Sequence, residues 1–187
     1  MTSGPAEPTP AVEVRAMTEA DLDDALAMFR AVAGEGRWVG TEAGIDWTAR
    51  REAMRVGLDA PARRSLVVVA PGGTIVGTGS VDVAGYGVAQ LGMALATGWR
   101  GRGIGTVLLD ELVAAARDLG AHKVALEVWP HNARALALYR SRGFVEEGRL
   151  VRHYRRADGQ LWDAVVMGLA LDEASPGSPY ADGAEVG

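Results

Sequence analysis

The sequence predicts an α+β fold, in which one mixed, mostly antiparallel sheet of about six or seven strands is flanked by about four helices. Short apolar runs separated by Pro-Gly-Gly and Gly-Tyr-Gly turns predict an antiparallel meander between residues 65 and 95. Beyond Trp99 the apolar residues recur every three or four positions, which is typical of an amphipathic helix. Strand and helix patterns then alternate to the end of the ordered region.

The first half of the chain begins with a strand, continues with two helices and ends in the meander. Thr18 and Asp21 resemble a capping box, and apolar residues at helical spacing follow from Leu22 to Phe29. A glycine-rich loop at 34–40 separates the two helices. The predicted elements are a strand at 12–16, helices at 18–33 and 45–58, and strands at 65–70, 74–83 and 88–95.

The second half adds two helices and the remaining strands. One apolar stripe runs from Ile104 to Leu119, and Gly120 ends this helix. Asp158-Gly159 is a dipeptide typical of a hairpin between the last two strands. The predicted elements are a helix at 104–119, a strand at 123–129, a helix at 132–141, and strands at 144–154 and 161–171.

Composition limits the class of protein. With 187 residues, 48% hydrophobic and 23% charged, the chain suits a single globular domain, which we place at residues 12–171. The Pro- and Gly-rich ends, 1–11 and 172–187, are expected to be a disordered lead and a flexible tail. The net charge of −5 argues against nucleic-acid binding, because phosphate contacts need a basic surface.

Several kinds of site and location are disfavoured. The chain has no cysteine, and its histidines lack metal-ligand spacing, so we expect neither disulfides nor a metal site. No apolar run is long enough to span a membrane, and the N-terminus lacks the features of a secretory signal. These features predict a cytoplasmic protein that does not bind membranes.

A glycine- and arginine-rich loop between a strand and a helix is the most informative segment. Glycines allow close approach of an anion, and the N–H groups at a helix start attract it. The alternative is a tight connection in which glycine is needed only for steric reasons. A dinucleotide fold is disfavoured, because its loop follows the first strand of a parallel unit. The loop comprises Arg100, Gly101, Arg102, Gly103, Ile104, Gly105 and Thr106.

Two motifs resemble the signatures of the GCN5-related N-acetyltransferase family, and the segment 158–167 is similar to its bacterial branch that acetylates amino acids and similar small molecules. Arg100-x-x-Gly103-x-Gly105 resembles the acetyl-CoA signature, and the segment from Leu126 to Phe144 resembles the second one. The resemblance covers about residues 12–171 and implies the acetyltransferase fold with acetyl-CoA as co-substrate. It implies that the loop holds the pyrophosphate. It also implies that the strand at Met93, Ala94 and Leu95 splays from its neighbour and pairs with pantetheine.

The helix after residue 131 supplies further candidate residues. Asn132 and Tyr139 are seven positions apart, so they share one helix face, and the small Ala135 between them leaves room for a ligand. The resemblance implies that all three contact acetyl-CoA and that Tyr139 protonates the leaving thiolate. A helix N-cap is the alternative role for Asn132, and a half-buried aromatic for Tyr139.

The base that deprotonates the amine has more than one candidate. The resemblance favours Glu127, which matches a glutamate in the branch that acetylates the N-terminus of a ribosomal protein. Glu35, in the glycine-rich loop, is the competing acid, and a water chain is the other alternative. In the family that the sequence resembles, the loop after the first helix usually borders the acceptor pocket, so the resemblance makes Glu35 and Trp38 candidate substrate-binding residues. The basic run at 152–156 is interpreted as a solvated strand end, with anion binding as its alternative.

The function expected from the resemblance is acetyl transfer from acetyl-CoA to a primary amine of a small molecule such as an amino acid. A protein N-terminus is the alternative acceptor, and a non-catalytic module that binds acetyl-CoA is the alternative class. A homodimer is compatible with the family, in which dimers are common.

Overall fold

A computed structural model of the chain describes residues 11–172 and contains a seven-stranded sheet in the order β1-β2-β3-β4-β5-β7-β6. The strands are β1 (Glu13–Ala16), β2 (Arg63–Val69), β3 (Ile75–Val83), β4 (Val88–Leu95), β5 (Lys123–Val128), β6 (Val145–Arg155) and β7 (Leu161–Ala170). The helices are α1 (Leu22–Gly34), α2 (Trp47–Leu58), α3 (Ile104–Asp118) and α4 (Ala133–Ser141). β4 and β5 pair in parallel and the other neighbouring strands antiparallel. The predicted fold class is therefore confirmed.

The helices cover the two faces of the sheet in pairs. On β2, Val67 packs against Ala25 of α1 and Met54 of α2. The next residue, Val68, belongs instead to the cluster that contains Leu108 of α3 and Leu136 of α4. Because successive side chains of a strand point to opposite faces, α1 and α2 lie on one face, and α3 and α4 on the other.

Two helix starts differ from the predicted ones by more than one residue. The first α-helix begins at Leu22 rather than residue 18, after a 3₁₀ turn over Glu19–Asp21. The Asp21 carboxylate accepts hydrogen bonds from Thr18, and its pKa is held far below the usual range by Arg15, which donates two. The second helix begins at Trp47 rather than residue 45, because the preceding aspartate is its N-cap and accepts from two backbone N–H groups.

Most of the two predicted terminal segments, 1–11 and 172–187, lies outside the described residues. Between residues 11 and 172, no helix combines the length and apolar character that a bilayer crossing requires.

Candidate active site

A gap between β4 and β5 opens into a cleft that residues of both strands line. The two strands pair only from Val88 to Gln90, opposite Lys123 to Ala125, and they part beyond that point. The cleft has a volume of about 1260 Å³, large enough for an extended ligand arm and a second small molecule. The parting of the strands therefore connects the two faces of the sheet.

The backbone of β4 presents free polar groups to this gap. The Ala84 N–H donates to Val88, and the Ala96 N–H donates to Val76, so even-numbered residues of β4 bond to β3. By the same alternation, Met93 and Leu95 direct their N–H and C=O groups towards the gap, whereas Ala94 bonds to β3. Of the three residues predicted on this strand, Met93 and Leu95 therefore face the gap, and the Leu95 carbonyl already accepts a hydrogen bond from Arg100 Nε.

The glycine-rich loop places backbone donors at the start of α3. Gly101 and Gly103 have φ values of 78° and 79°, a region that favours glycine. The first helical hydrogen bonds reach the Gly103 carbonyl from Thr106 and Val107, so the N–H groups just before Thr106 have no acceptor within the helix. Unpaired N–H groups and the positive end of a helix dipole favour an anion, so this loop is the candidate phosphate site.

The other loop residues differ in what they contribute. Gly105 and Thr106 line the cleft, and the Ile104 side chain is fully buried in the core, so Ile104 offers its backbone only. The Arg102 guanidinium lies 5.7 Å from the Trp99 ring centre and is not part of the cleft wall. A cation that the sequence did not single out, Arg134 of α4, lies beside Gly101: a Cβ there would be 3.0 Å from its Nη1.

Arg100 lines the cleft, and its guanidinium is engaged in an ion pair. Its guanidinium donates two hydrogen bonds to Glu35, at 2.8 and 2.7 Å, and its Nε donates to the Leu95 carbonyl. Thr97 and Trp38 donate to the same carboxylate. This arrangement ties the loop after α1 to the phosphate loop, so the side chain of Arg100 has a connecting role.

The same ion pair makes Glu35 a poor base. Arg100, followed by hydrogen bonds from Thr97 and Trp38, lowers the pKa of Glu35 to about 2, so the carboxylate has little tendency to accept a proton at neutral pH. Glu35 is also absent from the cleft wall, whereas Trp38 lines it. The geometry thus favours a role for Glu35 in holding Trp38 and Arg100 in place.

The cleft is lined by the three candidate residues at the start of α4 and within it, Asn132, Ala135 and Tyr139. Asn132 is the N-cap of this helix, since its Oδ1 accepts from the Ala135 N–H. Tyr139 is buried, with 8% of its surface exposed, and burial raises its pKa to about 12. The phenol is therefore protonated at neutral pH and available as a hydrogen-bond donor.

Glu127 lies on the part of β5 that has left β4, and its side chain lines the cleft. It accepts a hydrogen bond from the hydroxyl of Tyr154, which also lines the cleft. This bond, with burial adding to it, raises the pKa of Tyr154 to about 12, so the phenol remains a donor to the carboxylate. Tyr154 therefore orients the candidate base.

The sequence interpretation missed Tyr154 because it lies in the basic run at 152–156. Part of that run is not a solvated strand end: Arg156 is 7% exposed, pairs with Glu42 and lies 4.6 Å from the Trp162 ring centre. The local pattern of the run carried no signal for Tyr154, because its contact with Glu127 spans 27 positions. Within residues 11–172, no cluster of His, Asp and Glu side chains is suited to a metal ion.

Comparison with known proteins identifies a family for this fold. The model of the acetyltransferase (GNAT) family matches residues 21–144. An L-methionine sulfoximine/L-methionine sulfone acetyltransferase of Pseudomonas paraeruginosa is 29% identical over 82% of this chain and 91% of its own length. The N-alpha-acetyltransferase RimI of Mycobacterium tuberculosis is 43% identical over 45% of this chain and 54% of its own.

Some relatives match over a shorter region, and a solved structure matches over nearly its whole length. The chain spans about half the length of several curated relatives, for example 50% of a Bacillus subtilis protein described as a putative phosphinothricin acetyltransferase. A ribosomal-protein-alanine N-acetyltransferase of Brucella melitensis superposes with a TM-score of 0.77 at 28% identity, over 85% of this chain and 99% of that one. These matches confirm the resemblance predicted from the two motifs, and the chain belongs to the acetyltransferase (GNAT) family.

Proposed function

We propose that the protein transfers the acetyl group of acetyl-CoA to the primary amine of a small molecule such as an amino acid. The observation that carries this proposal is the single cleft that joins the phosphate loop, the free edge of β4, Tyr139 and Glu127. A phosphate site alone suits many ligands. Here the phosphate site is connected to the unpaired edge of β4, which can pair with the pantetheine arm, and to a buried phenol and a carboxylate. This combination suits acyl transfer to an amine.

Each step of the reaction has a candidate group. The loop at 101–106, with Arg134 beside it, holds the pyrophosphate, and the free edge of β4 pairs with the pantetheine amides. Glu127, oriented by Tyr154, takes a proton from the ammonium group so that the neutral amine attacks the thioester carbonyl. The Met93 N–H faces the gap and stabilises the oxyanion, as donors of this kind do in acyl transfer.

Tyr139 then donates its proton to the CoA thiolate as the tetrahedral intermediate collapses. A phenol with a pKa near 12 is a weak acid, but the burial that raises it also raises the proton affinity of a thiolate formed in the same place. Sharing of the proton between the two groups therefore lowers the barrier to departure of the thiolate.

The choice of acceptor rests on the relatives. The Pseudomonas protein, described as acting on methionine sulfoximine and methionine sulfone, matches over most of both chains and favours an amino acid. The RimI match favours a protein N-terminus, the second candidate, over a shorter region. The expected homodimer and cytoplasmic location stay predictions.

Release of free thiol from acetyl-CoA tests the proposed function directly. We expect L-methionine sulfone or another amino acid to accelerate the release above background hydrolysis, and mass spectrometry to show the N-acetyl product. Faster release with a peptide bearing a free N-terminus than with any amino acid would favour the second candidate. Calorimetric binding of acetyl-CoA without thiol release for any amine or peptide would contradict catalysis and favour a sensor.

Replacement of Glu127 by Gln is expected to change the pH dependence of turnover. Without the carboxylate, the rate depends on amine that is already neutral, and an alkyl ammonium has a pKa of about 10. The loss in kcat/KM is thus expected to be roughly 10²-fold near neutral pH and to shrink towards pH 10. Initial rates between pH 6 and about 10 measure it, with Tyr154→Phe expected to show a smaller loss of the same shape.

The matched control is Glu111→Gln, which removes an exposed carboxylate of α3 outside the cleft wall. A wild-type pH profile in Glu127→Gln would show that Glu127 is not the base and would favour a water chain in that role.

A further inference from the structure

One arm of the cleft lies on the sheet face that α1 and α2 cover. Ser80 of β3 pairs with Ser65 of β2 on one side and with Gly92 of β4 on the other, and all three line the cleft. A Cβ built on Gly92 meets no atom within 4 Å, so the floor of this arm is open above the sheet. The floor is formed by hydroxyl groups and bare backbone rather than by apolar side chains.

Arg50 of α2 lines this arm and has a buried donor without an acceptor. Its Nε is inaccessible to solvent and makes no hydrogen bond to any described residue. The guanidinium carbon lies 5.1 Å from the ring centre of Phe29, so the side chain is held against an aromatic ring. Stacking of this kind uses the face of the guanidinium, so its terminal Nη groups, which donate to no described residue, are the ones left for a planar anion.

The charge of this arm is not balanced by the residues that line it. Arg63, also in the wall, donates to Asp82 at 2.9 Å and to the hydroxyls of Ser65 and Ser80. Arg50 has no carboxylate partner within residues 11–172, and its pKa is lowered by burial and by the positive charge of Arg63. The two arginines and one aspartate leave one positive charge, which a single anion would neutralise.

The phosphates of acetyl-CoA do not fit this position. The phosphate loop begins α3, and α3 packs on the opposite face: a Cβ at Gly79, the residue before Ser80, would lie 2.6 Å from a methyl of Leu112. The arm of Arg50 is therefore on the far side of the gap from the phosphate loop. A molecule bound there meets the thioester from the α1 and α2 face, as an acceptor would.

We propose that Arg50, supported by Arg63, binds a carboxylate of the acceptor, so that the substrate class is amines that also carry a carboxylate, such as α-amino acids. The inference rests on the proposed acetyl transfer and adds a specificity-determining residue to it. Both Glu127, offered to the ammonium group, and Arg50, offered to the carboxylate, line the same cleft. Met17, Phe29 and Met54 supply an apolar wall for its side chain.

The test compares a panel of L-amino acids, including methionine sulfone, with the carboxamide of each, in the wild-type protein and in Arg50→Met. Loss of a hydrogen bond to a charged group is expected to lower kcat/KM for the acids roughly 10–100-fold and to leave the amides nearly unchanged. The control Arg64→Met removes an exposed arginine of β2 that donates only to backbone carbonyls, and its kinetics should match wild type.

Calorimetry in the presence of CoA, which has no acetyl group to give, separates this inference from the proposed function. Binding of an acid that is weakened by Arg50→Met supports the carboxylate subsite even if no acetyl transfer is seen. Acetylation of acids and amides with equal kcat/KM, or equal losses for both in Arg50→Met, would overturn the subsite and leave acetyl transfer intact. Absence of acid binding across the whole panel would also overturn it.

Discussion

Replacement of Tyr139 by Phe is expected to slow the acetyl-transfer step by roughly 10²–10⁴-fold, the range for a positioned general acid. The substitution removes one oxygen from a side chain whose ring packs 5.7 Å from Phe144, and so it leaves the core contacts in place. Folding and acetyl-CoA affinity are therefore expected to change little. The loss should be smaller with an acetyl thioester of a more acidic thiol, because such a thiolate needs less help from a proton donor.

Single-turnover acetyl transfer at saturating acceptor, with both thioester donors, measures this effect. Tyr86→Phe is the matched control, since Tyr86 is 99% exposed and absent from the cleft wall, and it should behave as wild type. Equal rates for Tyr139→Phe and wild type with acetyl-CoA would show that Tyr139 lines the cleft without acting as a general acid. An equal loss with both donors would indicate displaced packing instead of a lost acid.

The parts of the site that the sequence predicted are those built from neighbouring residues. The loop at 101–106 and its helix belong to one continuous segment, and Asn132 and Tyr139 share one helix. In such segments glycine positions, capping and helical spacing determine the geometry almost alone. The order of strands and helices was predictable for the same reason, because each element has its own apolar pattern.

The acceptor side of the site depends on contacts between distant segments, so a single sequence does not predict it. Glu35 and Arg100 are 65 positions apart, and only the folded chain shows that their charges cancel each other. Tyr154 reaches Glu127 across 27 positions. Arg50 is in a helix with two other arginines, and nothing in its local pattern distinguishes the one whose Nε is buried.

Replacement of Gly103 by Val is expected to weaken acetyl-CoA binding by about two orders of magnitude, equivalent to roughly 3 kcal/mol. A branched side chain at this position stands between the phosphate and the N–H groups that begin α3. It also disfavours the φ of 79° on which their direction depends. Calorimetric titration of acetyl-CoA measures the change.

Backbone strain alone would lower the stability of the Gly103→Val protein. The control therefore needs a glycine that has a similar positive φ but lies away from the proposed ligand. Gly120 follows the other end of α3, has φ of 77°, lies outside the cleft wall and has no atom within 4 Å of its Cβ position. Gly120→Val should therefore share the loss of thermal stability and keep wild-type affinity for acetyl-CoA. If the two variants bind acetyl-CoA equally well, the N–H groups after Gly103 do not hold its phosphates. If only Gly103→Val loses affinity, the cause is the lost contact with the phosphates and not backbone strain.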